Sequence, residues 1–111
     1  MKLLTIDYIP GEDIEVLGVV NGTIVQSKHI GSDFMAGMRT IIGGEIVGYT
    51  DMLAEARQIA TKRMVDEAVN LGADAVIGMR YGSSQVMDTA AEIFAYGTAV
   101  KIIRKKQAGQ R

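Results

Sequence analysis

Three glycines in the stretch IIGGEIVGYTDMLAEAR, at positions 43, 44 and 48, stand at a spacing that can serve phosphate chemistry. Gly43 and Gly48 match G-x-x-x-x-G. In a Walker-type loop, backbone N–H groups cradle the phosphates, a following lysine meets them, and a hydroxyl next to it holds magnesium. Here Thr50 supplies the hydroxyl, but Tyr49 stands in the lysine position. Glu45 places negative charge where the phosphates would sit. The residues before Gly43 read as helix, where a phosphate loop is entered from a strand. The glycines are therefore expected to act as hinges between two helices.

The polar groups around this stretch are Arg39, Glu45, Tyr49, Glu55 and Arg57. They support two readings. Arg39 and Arg57 can pair the carboxylates and lock two helices together. Alternatively Arg39, Glu45, Tyr49 and Arg57 line a small-ligand pocket at a subunit boundary. A carboxylate beside arginine is held ionised, which suits binding more than proton abstraction. His29 is the only histidine and the chain has no cysteine, so one chain cannot build an ordinary zinc site unless carboxylates or other subunits complete it. No G-x-S-x-G elbow surrounds any serine, and Ser83-Ser84 read as a turn, so no catalytic triad is expected. Seven methionines raise thioether ligation of Cu(I), with Met35 and Met38 one helical turn apart. Met38, Met64 and Met79 fall on apolar stripes, where core filling is the usual role.

The elements that must position these groups follow from periodicity and turn chemistry. Lys2–Ile6 reads as a strand and Ile9–Asp13 as a turn built on Pro10 and Gly11. Asn21-Gly22 between β-branched runs predicts a hairpin joining strands Ile14–Val20 and Thr23–Lys28. Ser32 or Asp33 caps a short helix over Phe34–Ile42. Thr50 or Asp51 caps a long helix from about Asp51 to Leu71. Its apolar stripe is Leu53, Ala56, Ala60, Met64, Ala68 and Leu71, and Gly72 lies just past its end. Two strands follow: one is DAVIGMRYG, with its continuation through SSQVMD left open, and the other is AEIFAYGTAVKII. Ile93, Ala95, Gly97 and Ala99 alternate with Phe94, Tyr96, Thr98 and Val100, so the last strand is apolar on both faces and expects cover on both. The long helix covers one face. The short helix is too small for the other, which is expected to meet further subunits.

At 111 residues the chain suits one domain, 1–111, of class α+β, with an antiparallel-rich sheet, one long helix and one short helix. Net charge is −1, but residues 101–111 hold five of the twelve basic groups; residues 1–100 carry seven basic and thirteen acidic groups, a net of −6. An acidic body argues against nucleic acid as the main partner. The basic tail, 104–111, is expected to fray. No apolar run reaches the roughly 18 residues of a membrane span, and no signal peptide is read at the N-terminus, so the cytoplasm is the expected compartment.

The blocks GGEIVGYTDMLAEAR, AVNLGADAVIGMRY and AYGTAVKI, in that order, resemble the signature of the YbjQ-like family, small proteins labelled heavy-metal-binding domains of unknown function. The similarity runs from about Val19 to Ile103. It implies a dodecin-like α+β subunit in a homopentamer, a ring resembling a β/α-propeller, without an established activity or cofactor. A metal would need oxygen donors such as Glu45 and Glu55, or His29 repeated around the ring. The leading expectation is thus a non-enzymatic, self-assembling protein that binds a small ligand between subunits. Divalent-metal binding is the alternative.

Overall fold

A computed structural model describes residues 1–27, 41–42, 45–87 and 90–105. The fold is α+β. Strands β1 (Lys2–Leu3), β2 (Glu12–Ser27), β5 (Ala75–Met87) and β6 (Ala90–Lys105) form one open sheet in the order β1-β5-β6-β2. The sheet is mixed: β1 runs parallel to β5, and β6 is antiparallel to both β5 and β2. Strands β3 (Ile41–Ile42) and β4 (Glu45–Ile46) form a separate two-stranded ribbon that leads into helix α1 (Val47–Asn70).

The predicted hairpin at Asn21-Gly22 does not form. Strand β2 passes straight through it, pairing residue by residue with β6 from Gly18↔Ala99 to Ser27↔Ala90. The glycine serves tertiary packing instead. A Cβ at Gly22 would run into the Ala60 carbonyl and the Met64 amide of α1, so its absence lets the helix backbone lie against the strand.

Helix α1 spans about 36 Å at 1.5 Å per residue. Its predicted stripe is largely realised: Ala56, Ala60, Met64 and Ala68 are fully buried, and Leu53 packs at the margin. They meet Val20, Val76, Met79, Ile93, Ala95 and Ala99 on the sheet. Leu71 is instead exposed, because the helix ends at Asn70. Its C-terminus closes as the sequence requires. Gly72 has φ 81°, its N–H donates to Val69 O at 2.9 Å, and Ala73 N–H donates to Ala68 O at 3.0 Å. That pair of bonds satisfies carbonyls the last turn would leave open.

The N-terminus of α1 differs from expectation. The helix begins at Val47, so Thr50 and Asp51 lie inside it and cannot be its caps. Gly48 falls in the first turn, where the backbone N–H groups lack intrahelical partners anyway. A poor helix former costs less there than in the middle. The short helix expected over Phe34–Ile42 is not present at its end, since Ile41–Ile42 is strand; Phe34 to Thr40 lie outside the described residues, as do Ser32, Asp33, Met35 and Met38. Ser83-Ser84 is not a turn: both residues continue β5. The turn at Ile9–Asp13 is as expected. Glu12 N–H donates to Ile9 O at 3.2 Å across Pro10-Gly11, and Gly11 has φ 76°. Strand β1 is shorter than predicted, although Leu4 N–H still donates to Val76 O and Gly78 N–H to Ile6 O. Beyond that, β5 bulges between Ile77 and Arg80, with Gly78 at φ 59°.

The face of the sheet away from α1 is only partly covered. Ile9, from the N-terminal turn, packs with Ile77, Val100, Ile14 and Ile102 at one end. Towards the other end, Val19 stands opposite Thr98, Asn21 opposite Tyr96, Thr23 opposite Phe94 and Val25 opposite Glu92. Residues directly opposite share a face. Val19 is 73% exposed, Val25 56% and Tyr96 41%. The radius of gyration is 18.2 Å, where a compact chain of this length has about 13 Å. A sheet with one helix on one side is a flat body, and among the described residues only the N-terminal turn packs on part of its second face.

Candidate functional site

Arg57 is the one proposed site residue whose side chain is described in a concave setting. It projects from the third turn of α1 beside β5, and a cleft of about 240 Å³ forms there between Leu53, Arg57, Tyr81, Gly82, Ser83 and Ile93. The local sequence explains why Arg57 is available. Helical neighbours three and four residues away are the ones a side chain reaches. For Arg57 these are Leu53, Ala54, Ala60 and Thr61, none acidic. Among the described residues its guanidinium has no ion pair; the pair formed on this helix is Lys62–Asp66, at 2.8 Å.

The strand supplies hydroxyls. Tyr81 pairs with Ala95 and Ser83 with Ile93, so both point to the side where α1 lies. Thr61 Oγ1 lies 2.7 Å from the Arg57 carbonyl and 2.7 Å from Tyr81 Oη. The carbonyl can only accept, so the Thr61 proton goes to it. Tyr81 must then donate to Thr61 Oγ1, which leaves the phenol oxygen as an acceptor. Among the described residues, the donors that face the cleft with no bond of their own are the Arg57 guanidinium and the Ser83 hydroxyl. Leu53 and Ile93 supply an apolar wall. Among the described residues no carboxylate lines the cleft. Glu92 is the nearby acid on β6, but it accepts from Ser84 Oγ at 3.1 Å, and Ser84 alternates onto the opposite face of the sheet.

The other proposed site residues are placed differently. Tyr49 sits in the first turn of α1, eight residues before Arg57, which is about 12 Å along the axis. Glu45 precedes the helix, in β4, with its backbone paired to Ile42. Glu55 is exposed on α1, two residues from Arg57 and so on a different side. Arg39 and His29 lie outside the described residues. On either side of Gly43-Gly44, Ile41–Ile42 and Glu45–Ile46 pair as strands, where the glycines are expected to join two helices; the two glycines themselves lie outside the described residues. The approach from a strand, taken from sequence to be missing, is therefore present; Tyr49 for lysine and the acidic Glu45 are the objections that stand.

Tyr81, Ser83, Leu53 and Ile93 were not singled out from sequence as site residues. The available signal was the i, i+2 spacing of Tyr81 and Ser83, hidden once Ser83-Ser84 is read as a turn.

One chain lacks the cysteines and second histidine of an ordinary zinc site. There is no cysteine and one histidine, and among the described residues no three His, Asp or Glu side chains come together. Among them also, no helix is long and apolar enough to cross a membrane.

Residues 1–103 match the YbjQ_1 family model, described as "Putative heavy-metal-binding". The chain is similar to a UPF0145 protein of Fervidobacterium nodosum, 60% identical over 103 residues, covering 92% of this chain and 95% of that one. A UPF0145 protein of Vibrio campbellii is 58% identical over 100 residues, covering 89% and 96%. One from Clostridium novyi is 52% identical over 103 residues, covering 93% and 100%. A crystal structure of a protein of unknown function in the DUF74 family, from Pediococcus pentosaceus, superposes with a TM-score of 0.68 at 19% identity, covering 92% of this chain and 97% of that one. At that identity the likeness is one of fold.

Proposed function

We infer the role of this chain from its family: it belongs to the YbjQ-like, or UPF0145, proteins, and we propose a non-enzymatic, self-assembling cytoplasmic protein that binds a small ligand beside the surfaces where copies meet. The observation that carries the proposal is the uncovered face of the sheet. Val16, Val19, Val25 and Tyr96 are all exposed there or at its margin. A small domain with an uncovered apolar face gains stability by burying it. The outer edge of β5 adds to this, because after Met79 no described strand pairs with it. A homopentameric ring is the arrangement proposed, and the ligand site includes Arg57, with Arg39, Glu45 and Tyr49 as further contributors.

Native mass spectrometry at micromolar protein tests the assembly. A multiple of the 12.0 kDa subunit, five-fold for the ring, is expected. A lone subunit mass overturns the reading.

The family description supports a second reading, a divalent or heavy metal held by His29, Glu45 and Glu55 from several copies. Elemental analysis of protein purified without a histidine tag decides it: a stoichiometric metal supports this reading, and its absence together with no thermal shift on adding zinc or copper removes it.

A further inference from the structure

We propose that the cleft between α1 and β5 binds a small aliphatic carboxylate, with Arg57 holding the carboxylate and Leu53 and Ile93 holding the hydrocarbon. The proposal rests on the ligand-binding part of the reading above and gives that ligand a chemical class.

Charge decides the first half. Among the described residues the cleft is lined by one cation, Arg57, and by no acid. The groups three and four residues away on the helix cannot neutralise it, and Glu92 faces the other side of the sheet, bonded to Ser84. A guanidinium offers a planar fork of N–H donors that matches the two oxygens of a carboxylate. One fork and one hydroxyl suit a monoanion. A doubly charged phosphate is ordinarily met by several backbone N–H groups or a helix N-terminus, and this cleft lies at the third turn of α1. The proton count in the Thr61–Tyr81 pair sharpens the choice. With Thr61 donating to the Arg57 carbonyl and Tyr81 donating to Thr61, the phenol has no proton to offer. The Ser83 hydroxyl is the neutral donor left to support one carboxylate oxygen.

Size and lining decide the second half. Pockets for drug-sized ligands run from about 300 to 1,000 Å³. At about 240 Å³ this one lies below that range and suits a small molecule. Leu53 from the helix and Ile93 from β6 present branched aliphatic surface next to the cation. The larger hollow on the helix, about 510 Å³, is flanked by Lys62, Arg63 and Asp66, which are already engaged: Lys62 with Asp66, and Arg63 with the Thr23 carbonyl. It has no spare cation to offer.

The test uses the full chain and three probes of one shape: 4-methylpentanoate, 4-methylpentan-1-ol and 4-methylpentylamine. Amide shifts in two-dimensional NMR are followed to saturation, and assembly is read by native mass spectrometry on the same samples. Saturable shifts are expected for the acid around Arg57, Tyr81 and Ser83, and none for the amine. Arg57→Gln is expected to weaken acid binding by roughly ten-fold or more, the loss that accompanies a charge-assisted pair. Arg57→Lys, which keeps the charge without the fork, falls between. Ser83→Ala weakens it less than Arg57→Gln. The inference is overturned if the alcohol binds as well as the acid, if Arg57→Gln binds unchanged, or if no probe saturates. Loss of acid binding with the assembly mass intact defeats this inference alone. A lone subunit that still binds the acid defeats the assembly reading alone.

Discussion

The two outer edges of the sheet are finished in different ways. On β2, the chain's own helix caps the strand: Arg63 Nη1 donates to the Thr23 carbonyl at 2.6 Å, and Glu67 Oε1 accepts from the Asn21 N–H at 3.3 Å. Nearer the start of that strand, register shifts at Asp13/Ile14 and Val16/Gly18 break its regularity. On β5, strand β1 covers only the first residues, and Arg80 Nη1 closes that short ladder by donating to the Thr5 carbonyl at 2.9 Å. From Tyr81 to Met87 the outer side of β5 meets no described strand. An exposed edge invites pairing, and capping groups or bulges discourage it. Among the described residues one edge is thus capped and the other has no partner strand past Met79, and the assembly proposed above is expected to use β5 and the exposed face.

The comparison can be broken most severely at Gly22. Gly22→Ala puts a methyl group into the Ala60 carbonyl and Met64 amide, so the helix must retreat and its caps with it. A loss of about 3 kcal/mol in urea unfolding is expected, the upper range for overpacking. Little change would mean that α1 tolerates a larger separation from β2. Next come the caps themselves. Arg63→Ala and Glu67→Ala are each expected to cost about 1 kcal/mol, and hydrogen exchange at the Asn21 amide should accelerate in Glu67→Ala. Unaltered exchange there would show that the edge is protected by something other than the helix.

On the open edge, Val86→Lys sharpens the contrast. Val86 is half exposed, so subunit stability should move by no more than about 0.5 kcal/mol, while the assembled mass should fall. An assembly that survives the lysine would place the contact elsewhere. The smallest effect is expected from Lys62→Ala. Its bond to Asp66 joins groups 76% and 58% exposed, and exposed pairs of this kind contribute about 0.3–0.5 kcal/mol. All comparisons need matched protein concentration, because association adds to apparent stability.

What was legible in the sequence was local. The stripe Ala56, Ala60, Met64, Ala68 repeats every four residues and is fully buried. Pro10-Gly11 and Gly72 made the turn and cap that their backbone freedom suits. The misreadings share a cause. Asn21-Gly22 looks like a turn because that is what the dipeptide favours in isolation. Here its glycine answers to a helix some forty residues later, and forty residues of separation leave no mark on a short window. Ser83-Ser84 was misread for the same reason: pairing with Ile93 and Glu92 holds it extended. The candidate site suffered twice. Arg57 is legible from sequence as one of several polar groups near the glycine stretch, but Tyr81 and Ser83 reach it only through the strand pairing that local propensity did not show.

The pairing of β2 has a consequence for how the chain is made. Among the described strands its neighbour is β6 alone, from Ser27↔Ala90 to Glu12↔Lys105. On a ribosome, a valine-rich strand of sixteen residues therefore emerges long before its partner exists. Contacts this distant along the chain form late and slow folding. The helix, complete by Asn70, packs on β2 and is made before β6. The close seat at Gly22 is thus a contact β2 can make before its partner strand has been synthesised.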